Sequence, residues 1–149
     1  MSISYDVFTD AFLSKITEFE LLELDYDQRD ELVDGYMKRA LSEFGRICKY
    51  DLTSNMDDEH REFGIDISPR DLDEVVDIIS EGMVMNWLKP YLFRQEILEN
   101  QLNTRDFTTY SPAELQNRVR ETYKKAQDDF TQKMREYSYN HNDLTRLHL

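Results

Sequence analysis

Apolar side chains recur at steps of three and four along most of the chain, which is the spacing of one buried face on an α-helix. Four such stripes predict four helices, at residues 5–16, 27–49, 69–89 and 112–137. A further apolar segment at 91–100 would form a fifth helix. The pattern therefore indicates a helical protein.

The second and the last of these stripes are long. The second consists of Leu32, Val33, Tyr36, Met37, Ala40, Leu41, Phe44 and Ile47. The last consists of Leu115, Val119, Tyr123, Ala126, Phe130, Met134 and Tyr137, and spans roughly 40 Å at 1.5 Å per residue. A seam of that length can pack on its own domain or on a helix of a neighbouring protein.

Serine and proline mark the helix ends. Ser68-Pro69 and Ser111-Pro112 each place serine at the N-cap and proline at the first helical position. Pro90 removes an amide donor, so the third helix should end near residue 89. The polar segment 50–67 is long enough to contain a short strand or hairpin, and a second polar connection covers 101–110. We predict an all-α fold: a single-domain bundle of four to five helices with a long C-terminal helix and an extended C-terminal tail.

Charge is distributed unevenly along the 149 residues, a length typical of one domain. The net charge is −13, and residues 83–149 carry nine acids and ten bases, so the acidic excess lies in residues 1–82. An acidic surface repels phosphate backbones, which argues against a protein that grips nucleic acid. No apolar run approaches the roughly 20 residues that cross a bilayer. We expect an intracellular protein with no membrane partner.

Residues typical of catalytic or metal sites do not occur at workable spacing. The three histidines are far apart in sequence, and Cys48 is the only cysteine, which we interpret as a small core residue. The acidic segment 57–62 lacks the alternation and glycine of a calcium loop and is interpreted as a solvated loop. Nucleophile elbows and glycine-rich phosphate loops are also missing from the sequence. We predict no catalytic residue, no metal site, no cofactor and no enzymatic activity, although an enzyme whose site forms only in three dimensions stays an alternative.

The last thirteen residues contain more aromatic and leucine side chains than solvation requires, so this tail either docks on a partner or frays. The long helix is framed by Tyr110-Ser111-Pro112-Ala113-Glu114-Leu115 and by Tyr137-Ser138-Tyr139-Asn140-His141-Asn142-Asp143-Leu144. With this frame and this order of helices, the chain resembles the head–tail connector (adaptor, or head-completion) proteins of long-tailed bacteriophages.

The resemblance implies a structural protein of the virion neck, assembled in the cytoplasm of the host bacterium. Such proteins form a ring, commonly of twelve subunits, that binds the portal protein above and the next neck (stopper) or tail protein below. DNA passes through the ring without specific binding. The acidic segments 25–34 and 71–81 are candidates for the channel lining, and loops 50–67 and 101–110 for contacts with neighbouring subunits or with the next ring.

The same resemblance divides the chain into a helical connector domain, 1–136, and a C-terminal docking tail, 137–149. It implies that portal docking is carried by Tyr137, Tyr139, His141, Asn142, Asp143, Leu144, Leu147 and Leu149. Two other functions stay open. One is another neck protein, a stopper or a tail-completion protein, although those have more β-structure than this pattern predicts. The other is a cytosolic helical regulator that binds partners through its long apolar seam.

Overall fold

The computed structural model describes residues 2–16, 26–92 and 112–141. In these ranges the elements are, in order, β1 (Ile3–Ser4), α1 (Tyr5–Lys15), α2 (Tyr26–Phe44), β2 (Met56–Asp57), β3 (Glu62–Phe63), α3 (Pro69–Leu88) and α4 (Pro112–His141). Short 3-10 helices cover Thr53–Asn55 and Lys89–Leu92. The prediction of a mostly all-α fold with a long C-terminal helix is confirmed. The predicted fifth helix at 91–100 and the tail beyond residue 141 lie largely or wholly outside the described ranges.

Helix α3 is the centre of the bundle, because α1, α2 and α4 all pack against it. The predicted stripe residues Val75, Ile79 and Met83 are buried, as the periodicity requires. Every residue of 82–88 is buried as well, so the second half of α3 is enclosed on all sides rather than along one stripe. The buried Asn86 amide donates to the Gly82 carbonyl oxygen at 2.8 Å and so satisfies one of its own donors within the helix.

The helix starts agree with the serine and proline signals. The Ser68 hydroxyl accepts a hydrogen bond from the Asp71 amide at 3.4 Å, with Pro69 at the first helical position. Helix α3 ends at Leu88, one residue before Lys89-Pro90, and α4 begins at Pro112. These three boundaries match the sequence prediction.

Helix α2 ends at Phe44, five residues earlier than the sequence pattern predicted. The Gly45 amide still donates to the Leu41 carbonyl oxygen at 2.7 Å, and the chain then leaves the helix through a turn at 45–47. A Cβ atom at Gly45 would lie 2.6 Å from that same carbonyl oxygen, so this close approach needs glycine. The stripe on α2 is also narrower than predicted, because Leu32 is 41% exposed.

The predicted hairpin lies within 50–67, and the N-terminus completes it. Strands β2 and β3 pair antiparallel, and β1 pairs antiparallel with the other edge of β3, which gives the order β1-β3-β2. Phe63 on the central strand is fully buried, with its ring 4.9 Å from that of Tyr5 and 5.4 Å from that of Phe8. This aromatic contact attaches the hairpin to α1.

Helix α4 packs its apolar stripe on its own domain. Four stripe residues of this 30-residue helix are buried against the rest of the bundle: Val119, Ala126, Phe130 and Tyr137. Residues 117–141 cover most of the stripe, and its first member, Leu115, has no described side-chain environment. The seam therefore forms part of the core of this chain.

Glycine at position 82 sets the spacing of three helices. A Cβ atom there would lie 2.7 Å from the Ala40 Cβ on α2 and 2.9 Å from the Phe130 Cζ on α4. Both separations are shorter than van der Waals contact, so only glycine lets α2 and α4 approach α3 this closely.

We expect Gly82→Ala to destabilise the protein despite the better helix propensity of alanine. Overpacking a core costs about 1–3 kcal/mol, which exceeds the gain of at most about 1 kcal/mol from helix propensity. Gly35→Ala on α2 is the matched control, because a Cβ there meets nothing within 4 Å, and it should stabilise by up to about 1 kcal/mol. Urea unfolding of both variants measures the opposite signs; a stabilised Gly82→Ala protein would contradict this packing.

Candidate interaction surfaces

An acidic surface surrounds the hairpin. We call it the acidic hairpin surface, and its acids are Asp6, Asp30, Glu31, Asp34, Asp57, Asp58, Glu59 and Glu62. Among the described residues, three bases that are always charged, Arg29, Lys38 and Arg61, are paired with acids of this group, and His60 lies 2.8 Å from Asp57. The surface is therefore strongly negative, and it lies on α1, α2 and the hairpin.

Arg61 holds these elements together. Its guanidinium donates two parallel hydrogen bonds to Asp34 on α2, from Nε at 2.8 Å and from Nη2 at 2.9 Å. The Nη1 group donates to Asp6 on α1 at 2.8 Å and lies 3.3 Å from Asp30. The hydrogen bonds to Asp34 are the main reason why the pKa of Arg61 is raised above its ordinary value. One side chain thus joins the hairpin to both helices.

The backbone of Arg61 is unusual as well. Its φ of 51° lies in the left-handed region, which costs a residue with a Cβ roughly 1–2 kcal/mol. The Arg61 carbonyl oxygen accepts a hydrogen bond from the Tyr5 amide at 2.8 Å. The Tyr5 hydroxyl in turn donates to Asp58 at 2.9 Å, and Lys38 pairs with the same carboxylate at 3.1 Å. Burial, followed by the bond to Asp58, raises the pKa of Tyr5.

The segment 57–62 is therefore fixed in place, although the sequence indicated a solvated acidic loop. Its side chains are exposed as predicted at Asp58 and His60, but its backbone is held by β3, Tyr5 and Arg61. Sequence reasoning missed Arg61, and a signal for it did exist. A lone arginine in a run of acids that faces two acidic helices is a natural centre for ion pairs.

A second group of acids on α3 is used within the molecule. Lys15 on α1 pairs with Asp77 and with Glu81, each at 3.0 Å, and Lys133 on α4 pairs with Asp77 at 2.5 Å. Burial alone would raise the pKa of Asp77, but the hydrogen bonds from the two lysines outweigh it and lower that pKa. These bridges connect α1 and α4 across the central helix.

Two more acids of α3 also have partners from other elements. Asp71 accepts a hydrogen bond from the Tyr50 hydroxyl at 2.5 Å, and Glu74 lies 3.3 Å from the His141 ring nitrogen. Most of the acids of the segment 71–81, a candidate for the channel lining, are thus in contact with bases or hydroxyls of this same chain. That leaves Asp73 as the acid of this segment with an exposed, unbridged carboxylate.

The C-terminal end of α4 is anchored by Tyr137, which is only 1% exposed. Its ring packs edge-on against Phe44 at 4.9 Å and stacks on His141 at 4.2 Å. Its hydroxyl accepts a hydrogen bond from the Lys49 amide at 2.9 Å and lies 3.7 Å from the Cys48 sulfur. Burial raises the pKa of Tyr137.

Three of the residues assigned to portal docking lie in the described ranges, and their assignment to docking stays a prediction. Helix α4 continues to His141, so the predicted boundary at 137 falls inside a helix. Tyr137 belongs to the core, His141 contacts Tyr137 and Glu74, and Tyr139 is 82% exposed. The remaining docking residues, Asn142, Asp143, Leu144, Leu147 and Leu149, lie outside the described ranges. Of the three described residues, Tyr139 alone presents most of its side chain to solvent.

The outward face of α4 carries a basic surface in an otherwise acidic protein. We call it the basic α4 surface, and it consists of the exposed residues Arg118, Arg120, Lys124 and Lys125. One acid, Glu121, lies within the same two turns. In contrast to Lys15, Lys38, Arg61 and Lys133, three members of this surface (Arg120, Lys124 and Lys125) form no ion pair with any described part of the chain.

Groups that could support chemistry are sparse where the structure is described. In residues 2–16, 26–92 and 112–141, no three His, Cys, Asp or Glu side chains lie close enough to share a metal ion. Burial raises the pKa of the half-buried Cys48 thiol, which disfavours the reactive thiolate. None of the helices in these ranges combines the length and apolar character that crossing a membrane requires.

Comparison with known proteins gives no relatives: no family model matches the sequence, and searches of curated proteins and of solved structures found no significant match.

Proposed function

We propose that this chain is a head–tail connector (adaptor) subunit of a long-tailed bacteriophage. Copies of it form a ring below the portal, extend the DNA channel and join the capsid to the next neck or tail protein. It works through contacts with other proteins rather than by catalysis. Its place of action is the neck of the virion, after assembly in the host cytoplasm.

The observation that carries this proposal is the separation of charge between two faces. The acidic hairpin surface lies on α1, α2 and the hairpin, whereas the basic α4 surface lies on a helix that packs against α3 and residues 89–92. A ring is built from two different complementary faces on every subunit, because its contacts are heterologous. The two oppositely charged faces of this chain suit a contact of that kind.

The alternatives fit the molecule less well. A regulator that binds partners through the long apolar seam needs that seam to be free, but Val119, Ala126, Phe130 and Tyr137 bury it in this chain's own core. A stopper or tail-completion protein would have more β-structure than the three strands of two residues each that the described residues contain. The net charge of −13 also suits a protein that lets DNA pass without binding it.

The portal contact is assigned to the end of the chain beyond the anchored part of α4. Tyr137 and His141 hold the last helical turns on the bundle, and the exposed Tyr139 lies between them. Residues 142–149 come directly after this helix and contain three leucines. An exposed aromatic ring next to a leucine-containing segment is a suitable anchor for a partner protein.

Deleting residues 142–149 together with Tyr139→Ala should abolish portal binding while the fold persists. We expect unchanged helix content by circular dichroism and a melting temperature within about 3 °C of the intact chain, since every described core residue is kept and an exposed substitution such as Tyr139→Ala alters stability by at most about 0.5 kcal/mol. Binding is measured by sedimentation with purified portal particles. The matched control is Tyr123→Phe with the tail intact, which should bind normally. A folded, truncated protein that still binds the portal would contradict the assigned contact.

A further inference from the structure

We infer that neighbouring copies of this chain contact each other through the basic α4 surface of one copy and the acidic hairpin surface of the next. This inference rests on the proposed ring and names the faces that form it. A second copy of the same chain covers the outward face of α4.

The state of the lysines and arginines supports this assignment. Several bases in the described ranges, such as Lys15, Lys133 and Arg61, are bound by the carboxylates of this same chain. Lys124 and Lys125 are exposed and without an ion pair in those ranges, and together with Arg118 and Arg120 they place four bases within about two turns of one helix. Bases that stay unpaired in a chain with 31 acids are available to an acidic partner from outside.

The acidic hairpin surface is a suitable partner because it is both negative and held in one shape. Eight acids face three lysine and arginine side chains there, so its own ion pairs leave it with excess negative charge. The fork from Arg61 to Asp34 and the bond from Tyr5 to Asp58 fix the hairpin before any partner arrives. A preformed surface loses little conformational entropy on binding, so more of the contact energy appears as affinity.

The positions of the two surfaces favour a ring over a closed pair. The hairpin is attached to α1 and α2, and α4 packs on α3, so the surfaces belong to different parts of the molecule. Two acidic surfaces repel each other, as do two basic ones, which disfavours a symmetric dimer through either face. A contact between the two different faces is head to tail, and its repetition gives a ring where the rotation between copies closes and an open filament where it does not.

Charge reversal on each face tests this inference. Lys124→Glu with Lys125→Glu makes α4 acidic, and Glu31→Lys with Glu59→Lys makes the hairpin surface less acidic; all four side chains are exposed or carry no ion pair in the described ranges. Each double variant alone should weaken ring assembly on portal particles by at least about tenfold in the concentration needed. All four changes in one chain should recover part of the assembly, because the lysines introduced on the hairpin surface can then pair with the glutamates introduced on α4.

Control measurements distinguish a loss of the contact from a loss of folding and from a change in net charge, and they test the two proposals independently. Circular dichroism and thermal melting confirm that each variant folds. Arg46→Glu with Arg70→Glu changes the net charge as much as the α4 variant but at exposed positions elsewhere, and it should assemble normally. Normal assembly of either double variant, or no rescue in the combined chain, would overturn this inference and leave the connector proposal intact. Failure of the unaltered chain to join portal particles would overturn the connector proposal itself.

Discussion

Replacing Tyr137 by alanine should lower the free energy of unfolding by about 3–5 kcal/mol, the usual cost of removing a buried aromatic ring. The ring fills the space between the end of α4 and Phe44, and its hydroxyl satisfies the Lys49 amide. Losing both contacts should release the last turns of α4 from the bundle. Guanidinium unfolding followed by circular dichroism measures the change.

Two variants isolate the causes. Tyr137→Phe keeps the ring and removes the hydroxyl, so it should cost only about 1 kcal/mol. Tyr139→Ala removes the same kind of side chain two residues away, where it is 82% exposed, and should change stability by less than about 0.5 kcal/mol. Equal effects at 137 and 139 would mean that Tyr137 does not belong to the core.

Arg61→Ala should have the second largest effect, a loss of about 2–3 kcal/mol. Breaking a fully buried ion pair by removing one partner costs about 3–5 kcal/mol, and solvent reduces this because the side chains of Arg61 and Asp34 are 25% and 14% exposed. The variant leaves Asp6, Asp30 and Asp34 close together without their shared cation. Chemical unfolding at low ionic strength is the suitable measurement.

The backbone of Arg61 gives this prediction a second signature. Arg61→Gly should be more stable than Arg61→Ala by about 1 kcal/mol, because glycine adopts a φ of 51° without strain. Arg61→Lys keeps the charge but cannot form the two-pronged contact with Asp34, so it should recover only part of the loss. A stability of Arg61→Ala equal to that of the unaltered chain would contradict the role of this residue.

The helices could be predicted from the sequence because the signals that define each helix lie within or next to that helix. Stripes at steps of three and four, the Ser68-Pro69 cap and the stop at Pro90 all act within a few residues of the element they define. The extra burial of α3 was not visible in this way, because Ile78 and Val84 lie off the predicted stripe and are buried only where other helices surround α3. Leu32 shows the converse, an apolar residue on the stripe that no neighbour covers.

Two predictions from the sequence concern Tyr137. The helical stripe placed it in the seam of the last helix, and the resemblance to phage connectors placed it in a docking tail. Its burial of all but 1% of its surface agrees with the stripe. Helical periodicity follows from the burial of apolar side chains within this chain. The boundary at 137 came instead from the resemblance to connector proteins.

The charged surfaces were the feature least predictable from the sequence, because they depend on contacts between residues that are far apart in sequence. Arg61 meets Asp34 and Asp6 across 27 and 55 residues of sequence, and no local pattern encodes that meeting. The same holds for the pairing of β1 with β3, which joins Ile3 to Phe63. Charge counts indicated an acidic first half, but only the fold shows that its acids gather around the hairpin.

The central claim is that copies of this chain form a ring on the portal. Electron microscopy of portal particles mixed with an excess of the full chain tests it most directly. We expect a closed ring of identical subunits below the portal, with each α4 facing the hairpin of its neighbour. A chain that stays monomeric and unbound at high concentration, with no added density at the portal, would contradict it.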